Sequence, residues 1–484
     1  MNDGFPLEEF INWGDKPLRD WKGILQRERT KLLTPWAVKD DDPVATKREH
    51  QEDENPDDHR TAFQHDIGRI IHCKAFRRLK HKTQVFISYE KDHFRTRLTH
   101  TLEVLQIATS VARTLGLNED IVTAIALGHD LGHTPFGHAG EYILDKIMSG
   151  KYNNLFSSKA KDILNKNRCG FKHNIQSVQV VKELEETYAL DKGFKGLNLT
   201  REVVEGILKH TKYPQDIFPE LDPNKVPCLE GQLIDICDEI AQRTHDLDDG
   251  VRSGLIKISD VEGLIKKTCE PIKEKDYVKG LIKALEESLN SERKGEGTKL
   301  FLPILINALI NCFAIDLIKN TMENIRKKIN GKNSESVSYE IFKDEFDNAD
   351  KKQEKYTVKF SDNIENLEKQ LKEIEWQKIY NSHWANCRDK RAEYFIARLF
   401  EAYIENPLIL PNETLGRFGK TINISIEDIR KLKGENLEAR LDEIARMDEF
   451  IMLVCNHISG MTDTYVQNKY EELFTPFEIV AQAK

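Results

Sequence analysis

Apolar and polar residues alternate with a helical period over most of this chain. Residues 39–60 are dense in charge and nearly free of large apolar side chains, which predicts an exposed loop. From Phe63 onward the pattern is helical, with one apolar and one cationic face. The predicted apolar face comprises Ile67, Ile70, Ile71, Phe76 and Leu79, and the cationic face comprises Arg69, Lys74, Arg77, Arg78, Lys80 and Lys82.

The same period predicts helices along the rest of the chain. Residues 96–115 are apolar over most of their surface, which predicts burial, and Asn118 is suited to cap a helix over 119–131. Shorter helices are expected at 138–149, 173–188, 200–211 and 229–246, loops at 151–170 and 213–227, and long helices at about 259–289, 300–328, 361–404 and 436–471. The sequence contains no β-rich run and no fixed repeat, so the predicted fold class is all-α.

Composition narrows the class of protein. A charged fraction of 32% and a net charge of -9 indicate a soluble protein and not a nucleic-acid binder by bulk charge, although a local cationic cleft could still bind phosphate. The eight cysteines form no CxxC pair, which predicts reduced thiols and a cytoplasmic location. The first residues lack a signal-peptide pattern. The most apolar stretch, 300–318, includes Asn307, Asn311 and Asp316, which predicts a core helix with one polar contact and no membrane span.

Histidines are concentrated in one part of the chain. Nine of the 15 histidines fall within residues 59–138, where histidine and aspartate have spacings that suit a divalent metal. His100 and His129 each lie on an apolar helical face, which taken alone indicates buried, hydrogen-bonded core residues. Asp130 is different, because a carboxylate in the last turn of a helix faces the negative end of the helix dipole at a cost of about 0.3–1 kcal/mol. A cation must compensate it, either a metal shared with the histidines or Arg97, and the pattern favours the metal.

Two further groups could complete a site. Asp235, Asp238, Gln242 and Asp246 form one polar stripe in the helix at 229–246, and such a stripe is more often a solvated face than a ligand set. His138 and Glu141 are three residues apart at the start of a predicted helix. They suit a histidine oriented by a carboxylate for proton transfer, or a simple helix-terminus contact, and the residues alone leave the two equally supported.

Five blocks of sequence occur in a characteristic order: FRRLKHKTQVF, RTRLTHTLEV, HDLGHTPFGHAGE, CDEIAQRTHDLDD and ISGMTDTYV. Together they resemble the HD-domain superfamily, and more narrowly its dGTPase-like deoxynucleoside triphosphate triphosphohydrolases. The resemblance is dense over residues 58–250 and returns at 458–466. It implies an HD core at 58–250. Composition predicts an arm and charged loop at 1–57, with the aromatic anchors Phe10, Trp13, Trp21 and Trp36 in the arm. Composition also changes after Gly250, and the helical region at 251–484 is expected to serve as scaffold, pocket wall and oligomer contact.

The resemblance also implies roles for individual residues. Metal ligands would be His100, His129, Asp130 and Asp238, catalytic residues His138 and Glu141, and substrate-binding residues Gln84, Arg97, His133, His173, Gln242 and Asp246. In this scheme Gln84 and Asp246 bind the sugar 3′-hydroxyl and Arg97 a phosphate. Gln242 stands where the family usually has a tyrosine, which leaves the selectivity for sugar and base open.

The expected reaction is hydrolysis of a deoxynucleoside triphosphate, dGTP first, to deoxynucleoside and inorganic triphosphate. The expected cofactor is Mn²⁺, Mg²⁺, Fe²⁺ or Ni²⁺, and the resemblance implies a homo-oligomer such as a hexamer. One alternative is an HD phosphodiesterase or nucleotidase acting on other nucleotides. Another is a regulator that binds nucleotides or single-stranded nucleic acid through a vestigial site, and such binding could also accompany the enzyme activity.

Overall fold

The chain folds into helices joined by short connections. The structure is a computed structural model that describes residues 26, 29–52, 58–84, 95–152, 154–166, 168, 170–188, 193–213, 217–294, 301–333, 336–346, 352–421, 425–431 and 434–475. Within these ranges there are 19 α-helices and no strand, only two isolated bridges, Thr83–Thr96 and Lys225–Glu345. The all-α prediction is confirmed. The predicted anchors Phe10, Trp13 and Trp21 lie outside the described residues.

The first nine helices include the predicted core. They are α1 Ala62–His72, α2 Lys74–Arg78, α3 Arg97–Leu115, α4 Glu119–Gly128, α5 His138–Met148, α6 Ser158–Leu164, α7 His173–Gln179, α8 Arg201–Lys209 and α9 Leu229–Ser253. The central element is α9, which packs against α3, α4 and α8. Asn118 caps α4 as predicted, accepting a hydrogen bond from the backbone N–H of Asp120. The predicted 151–170 loop contains α6.

Ten helices follow α9. They are α10 Ile258–Cys269, α11 Asp276–Lys294, α12 Leu302–Ile329, α13 Asp362–Glu375, α14 His383–Glu405, α15 Asn412–Thr421, α16 Ile426–Lys431, α17 Glu435–Ala445, α18 Asp448–Ser459 and α19 Asp463–Phe474. Three predicted long helices are therefore divided. Pro271 lies between α10 and α11 and cannot donate a helical hydrogen bond. Ser382 caps a new helix after the π-helical turn Trp376–Tyr380, and Gly460 ends α18.

Buried apolar side chains form two cores. The first core runs from Ala37 to Ile379 and includes α1, α3, α4 and α8–α13. The second core joins Phe136, α5 and α6 to α14, α15 and α17–α19. Leu131 belongs to the first core and Phe136 to the second, so the chain crosses between them within residues 131–136. The domain boundary predicted at 250 stays a prediction.

The helix α12 is long and apolar enough to cross a membrane by length and composition alone. Its most apolar window has a mean hydropathy of 1.7, and 44% of that window is buried within the protein. Asn307 and Asn311 face solvent, contrary to the expected polar core contact. That contact is made by Asp316 instead, which is buried and accepts hydrogen bonds from Tyr277 and Ser361 at 2.8–3.0 Å. These bonds fix α12 within the first core.

Two members of the predicted faces of the first helical segment lie elsewhere. Ile71 is 40% exposed, although it was predicted to be buried. Lys82, predicted as part of a solvated cationic face, is only 2% exposed. The 3₁₀ turn Leu79–His81 follows α2 and ends the helical period, so Lys82 points inward.

Buried ion pairs hold the segment 336–346 against α8. The Lys343 ammonium donates to Glu202 at 3.0 Å and to Glu205 at 2.8 Å, and all three side chains are buried. Lys352, on the same stretch of chain, donates to the carbonyl oxygen of Lys209 at 2.6 Å. These contacts position Lys352 and its neighbours beside α9.

Candidate active site

Three helices bring the four predicted metal ligands together. His100 lies on α3, His129 and Asp130 directly follow α4, and Asp238 lies on α9. The Nε2 atom of His100 is 2.8 Å from Oδ1 of Asp238, and Nε2 of His129 is 3.9 Å from the same oxygen. Oδ1 of Asp130 is 3.4 Å from Nε2 of His129. One ring nitrogen from each of His100 and His129 and a carboxylate oxygen of Asp238 lie within 4.8 Å of one another, an arrangement able to hold a divalent cation, and Asp130 forms a second such group with His133 and His173.

Neighbouring groups orient the two imidazoles. Nδ1 of His129 lies 2.6 Å from the carbonyl oxygen of Ala126, a contact that directs Nε2 toward Asp130 and Asp238. Nε2 of His129 is buried and has no hydrogen-bond partner among the described residues. Nδ1 of His100 lies 3.0 Å from Nε2 of His245. Such outer contacts are typical of metal-binding histidines, and the residues present fit a metal ion.

Asp130 contacts Arg97, one of the two cations considered from its position in the sequence. Arg97 donates to its Oδ2 at 2.8 Å, while Oδ1 faces His129 and lies 3.3 Å from Nε2 of His133. Burial alone would raise the pKa of Asp130, but His129 and Arg97 hold it well below the usual range. The carboxylate is therefore ionised. Because α4 ends at Gly128, three residues earlier than predicted, Asp130 lies in the turn beyond the helix.

The polar stripe on α9 divides between two environments. Asp238 faces the histidines, and Asp246 accepts a hydrogen bond from the hydroxyl of Tyr380 at 2.7 Å. Asp235 turns away from them, accepting from Tyr356 at 2.7 Å and lying 3.3 Å from the Lys352 ammonium. The stripe is consequently not a solvated face.

A second set of histidines extends from the metal-ligand cluster. Nδ1 of His138 lies 3.5 Å from Glu141, and Glu141 lies 3.0 Å from Nδ1 of His173. The ring of His133 stacks on that of His173 at 3.9 Å, and Nε2 of His173 lies 3.1 Å from Nε2 of His210. Burial would raise the pKa of Glu141, but His173 and His138 hold it well below its usual range. Gly137, and not His138, is the N-cap residue of α5, so His138 makes no capping contact.

Gln84 and Arg97 lie beside the turn that precedes α5. Oε1 of Gln84 is buried without a hydrogen-bond partner among the described residues, as are Nε and Nη2 of Arg97. A Cβ atom on Gly137 would lie 3.1 Å from the carbonyl oxygen of Gln84 and 3.2 Å from Nη2 of Arg97. Phe136 and Gly137 both have positive φ angles, 61° and 59°. Backbone of this kind is common at functional sites.

A cavity of about 650 Å³ opens beside His138 and Glu141. Its walls carry both charges; the basic residues are Lys172, Lys212, Lys352 and Lys372, and the acidic ones are Glu141, Asp145, Asp235 and Glu239. Asp235 is paired with Lys352, and burial together with Glu368 raises the pKa of Glu239 to about 8. Both signs of charge therefore line this cavity at neutral pH.

The structure brings all twelve predicted residues to this region, including Gln242, whose amide donates to the Tyr380 hydroxyl at 3.3 Å. Three residues of the site were not predicted: His210, His245 and Tyr380. Tyr380 lies 134 residues after Asp246, and no sequence spacing connects the two. Tyr380 lies in the π-helical turn that follows α13, and the packing of α13 against α9 brings this turn to the site.

Sequence models of known families match two parts of this chain. An HD domain matches residues 97–243, which include the four candidate ligands, and a phosphohydrolase-associated domain matches residues 358–423. Full-length relatives extend the likeness. A deoxyguanosinetriphosphate triphosphohydrolase-like protein of Geobacter sulfurreducens is 36% identical over 87% of this chain and 91% of its own length. The chain belongs to this deoxyguanosinetriphosphate triphosphohydrolase-like family.

Other members of the family show the same extent of similarity. The relative from Ralstonia nicotianae is 37% identical over 80% of this chain, and that from Caldanaerobacter subterraneus subsp. tengcongensis is 35% identical over 94%. Both carry the same family description. As a member of the family the protein is an HD-domain phosphohydrolase, and HD domains bind divalent metal ions.

The two neighbouring aspartates of α9 provide a matched test of the metal site. We expect Asp238→Asn to weaken metal affinity by more than the roughly 10–100-fold that outer contacts contribute, because it removes a ligand. Asp235→Asn, one turn away on the same helix, should keep the metal, since Asp235 faces Lys352. Metal content after dialysis, measured by plasma mass spectrometry, distinguishes the two. Equal metal loss in both variants would contradict the assignment.

Gly137 can be tested against a second glycine in the same backbone region. Gly137→Ala and Gly434→Ala each place a side chain at a φ angle of 59°, with ψ angles of -133° and -143°, which should cost about 1–3 kcal/mol of stability. A Cβ atom at Gly434 would meet nothing within 4 Å, whereas one at Gly137 would press on Arg97. We therefore expect both variants to lower the melting temperature, but only Gly137→Ala to lower kcat/KM. Full activity in Gly137→Ala would refute the crowding argument.

Proposed function

We propose that the protein hydrolyses deoxynucleoside triphosphates, dGTP first, to the deoxynucleoside and inorganic triphosphate. The observation that carries this proposal is a set of buried polar atoms without protein partners: Oε1 of Gln84, Nε and Nη2 of Arg97, Nε2 of His129 and Nδ1 of His133. Leaving each unsatisfied costs about 1–3 kcal/mol, so a ligand that supplies partners to several of them at once would be bound favourably. Their chemistry matches a hydroxyl donor, a phosphate and a cation.

Each unpartnered group suits a different part of the substrate. The two free nitrogens of Arg97 can donate to a phosphate oxygen while Nη1 stays on Asp130. Oε1 of Gln84 can accept from the sugar 3′-hydroxyl, and Asp246, held by Tyr380, is a second acceptor for it. The lysines of the adjacent cavity suit the outer phosphates. Preference for dGTP follows from the names of the relatives alone.

Proton transfer in this scheme falls to His138. Its side chain is 54% exposed at the cavity wall, and Glu141 lies 3.5 Å from its Nδ1. Glu141 is ionised and orients the imidazole, which can then donate a proton to the departing alkoxide. His100, His129, Asp130 and Asp238 would hold Mn²⁺, Mg²⁺, Fe²⁺ or Ni²⁺, which when bound supplies a Lewis acid and lowers the pKa of water.

Three further properties complete the proposal. We place the enzyme in the cytoplasm as a homo-oligomer, a hexamer in the first instance, with binding of single-stranded nucleic acid as a secondary activity. These three properties are supported by the family resemblance. Light scattering coupled to size-exclusion chromatography would measure the oligomeric state directly.

Product analysis tests the reaction itself. The protein is incubated with each dNTP and with GTP, in Mn²⁺ or Mg²⁺, and the products are separated by ion-exchange chromatography. We expect deoxynucleoside and triphosphate, and loss of both products in His129→Ala because this variant lacks a metal ligand. Monophosphate and pyrophosphate would contradict the bond assigned, and no turnover with any nucleotide would contradict the enzymatic role.

Gln84 gives a second test, directed at the sugar. Gln84→Ala should lower kcat/KM for a dNTP by roughly 10–100-fold, the equivalent of one buried hydrogen bond to a hydroxyl. It should leave the corresponding 2′,3′-dideoxynucleotide unchanged, because that analogue has no 3′-hydroxyl to bind. Gln106→Ala, an exposed glutamine on α3, is the control. Equal losses of kcat/KM with both substrates would contradict the proposed contact between Gln84 and the 3′-hydroxyl.

A further inference from the structure

The sequence block GMTD at 460–463 is not used by the proposed chemistry, although it lies against the active site. Gly460 ends α18, and Thr462 caps α19 by accepting from the backbone N–H of Tyr465 at 3.3 Å. Asp463 is the first residue of α19 and is only 4% exposed. A carboxylate at the start of a helix is usually solvated, so its burial here needs a reason.

The carboxylate of Asp463 joins two distant segments of the chain. Its Oδ2 accepts from the backbone N–H of Thr83 at 2.9 Å, and its Oδ1 accepts from the backbone N–H of Phe136 at 2.9 Å. Thr83 directly precedes Gln84, and Phe136 is followed by Gly137 and His138. One side chain therefore sets the spacing between the proposed sugar contact and the proposed proton donor.

Lys82 makes a second link between the same three segments. Its buried ammonium donates to the carbonyl oxygen of His133 and, at 3.0 Å, to that of Ser459. Its own carbonyl oxygen accepts from the backbone N–H of Arg97 at 3.1 Å. Residues 82–84, 133–137 and 459–463 are thus connected twice, once by an acid and once by a base.

A purely local role for Asp463 does not account for these contacts. Thr462 already caps α19, and both oxygens of Asp463 bind segments that lie 380 and 327 residues away in sequence. One of those segments contains the positive φ angles of Phe136 and Gly137, a conformation that persists only when its surroundings hold it.

We propose that Asp463 is a positioning residue, which acts through the backbone of Thr83 and Phe136 to hold Gln84 and His138 in register with Arg97. This inference rests on the proposed function, in which Gln84 and His138 contact the substrate. It gives residues 459–463 a part in the reaction, although they do not touch the reacting atoms.

The test is a double-mutant cycle on kcat/KM for a dNTP, combining Asp463→Asn with Gln84→Ala. The amide keeps the shape of the side chain but turns an NH₂ group toward one of the two N–H donors. If Asp463 acts by placing Gln84, the double variant should lose less than the product of the two single losses, by about tenfold or more. The dNTP preference over the 2′,3′-dideoxynucleotide should fall in Asp463→Asn as it does in Gln84→Ala.

Asp448→Asn is the matched control. Asp448 is also the first residue of its helix, α18, but its side chain is 59% exposed and pairs with Arg168. We expect this variant to retain kcat/KM and the preference between the two substrates. If Asp463→Asn does not fold, Asp463→Glu takes its place in the same cycle, because it keeps a carboxylate but displaces it by one methylene from the backbone N–H groups of Thr83 and Phe136.

The outcomes separate this inference from the function on which it rests. A normal dNTP preference in folded Asp463→Asn, or losses that multiply in the double variant, would overturn the positioning role while leaving the enzyme assignment intact. A Gln84→Ala variant with unchanged kcat/KM would overturn the substrate contact and, with it, this inference. A general loss of stability would lower kcat/KM by the same factor for the dNTP and for the 2′,3′-dideoxynucleotide. Equal losses of this kind in Asp463→Asn would therefore also count against positioning.

Discussion

The ionised, buried carboxylate of Asp130 is the constraint on which the rest of the structure depends. A charge removed from water is tolerated only beside groups that compensate it, and the guanidinium of Arg97 donates to one oxygen of Asp130, while imidazole nitrogens of His129 and His133 lie 3.3–3.4 Å from the other. To supply them, α3 and the end of α4 must pack at this point. The helix α9 completes the arrangement with Asp238. The packing of α3, α4 and α9 in the first core consequently also determines the geometry of the candidate site.

Around this centre the protein holds polar groups in place before any ligand binds. Arg97 is 1% exposed, yet only one of its three guanidinium nitrogens is used within the described part of the chain. Nε2 of His129 and Oε1 of Gln84 are likewise buried without a hydrogen-bond partner among the described residues. A site built in this way loses stability in the free protein, and the completed contacts restore it in the complex. Little reorganisation is then required when charge develops on the substrate.

Local chemistry in the sequence predicts only part of the candidate metal site. An aspartate after an apolar helix requires a cation wherever the chain folds, and Arg97 supplies one here, whereas only the family resemblance singles out Asp238 among its neighbours. Tyr380 could not be predicted, because its contact with Asp246 depends on how α13 packs on α9. The burial of Lys82 could not be predicted for a related reason. The α-helical pattern ends at the 3₁₀ turn Leu79–His81, and the ammonium of Lys82 is buried because carbonyl oxygens of His133 and Ser459, from distant segments, accept its hydrogen bonds.

The crossing between the two cores has a mechanical consequence. His129 and Asp130 are anchored beside the first core, whereas His138 and Glu141 belong to α5, whose apolar face packs in the second. Only the short stretch from Leu131 to Phe136 separates them. Any displacement of the second core relative to the first would therefore change the distance between the candidate metal ligands and His138. The alignment of these groups thus depends on how firmly the C-terminal helices pack, although those helices lie outside the metal-ligand cluster.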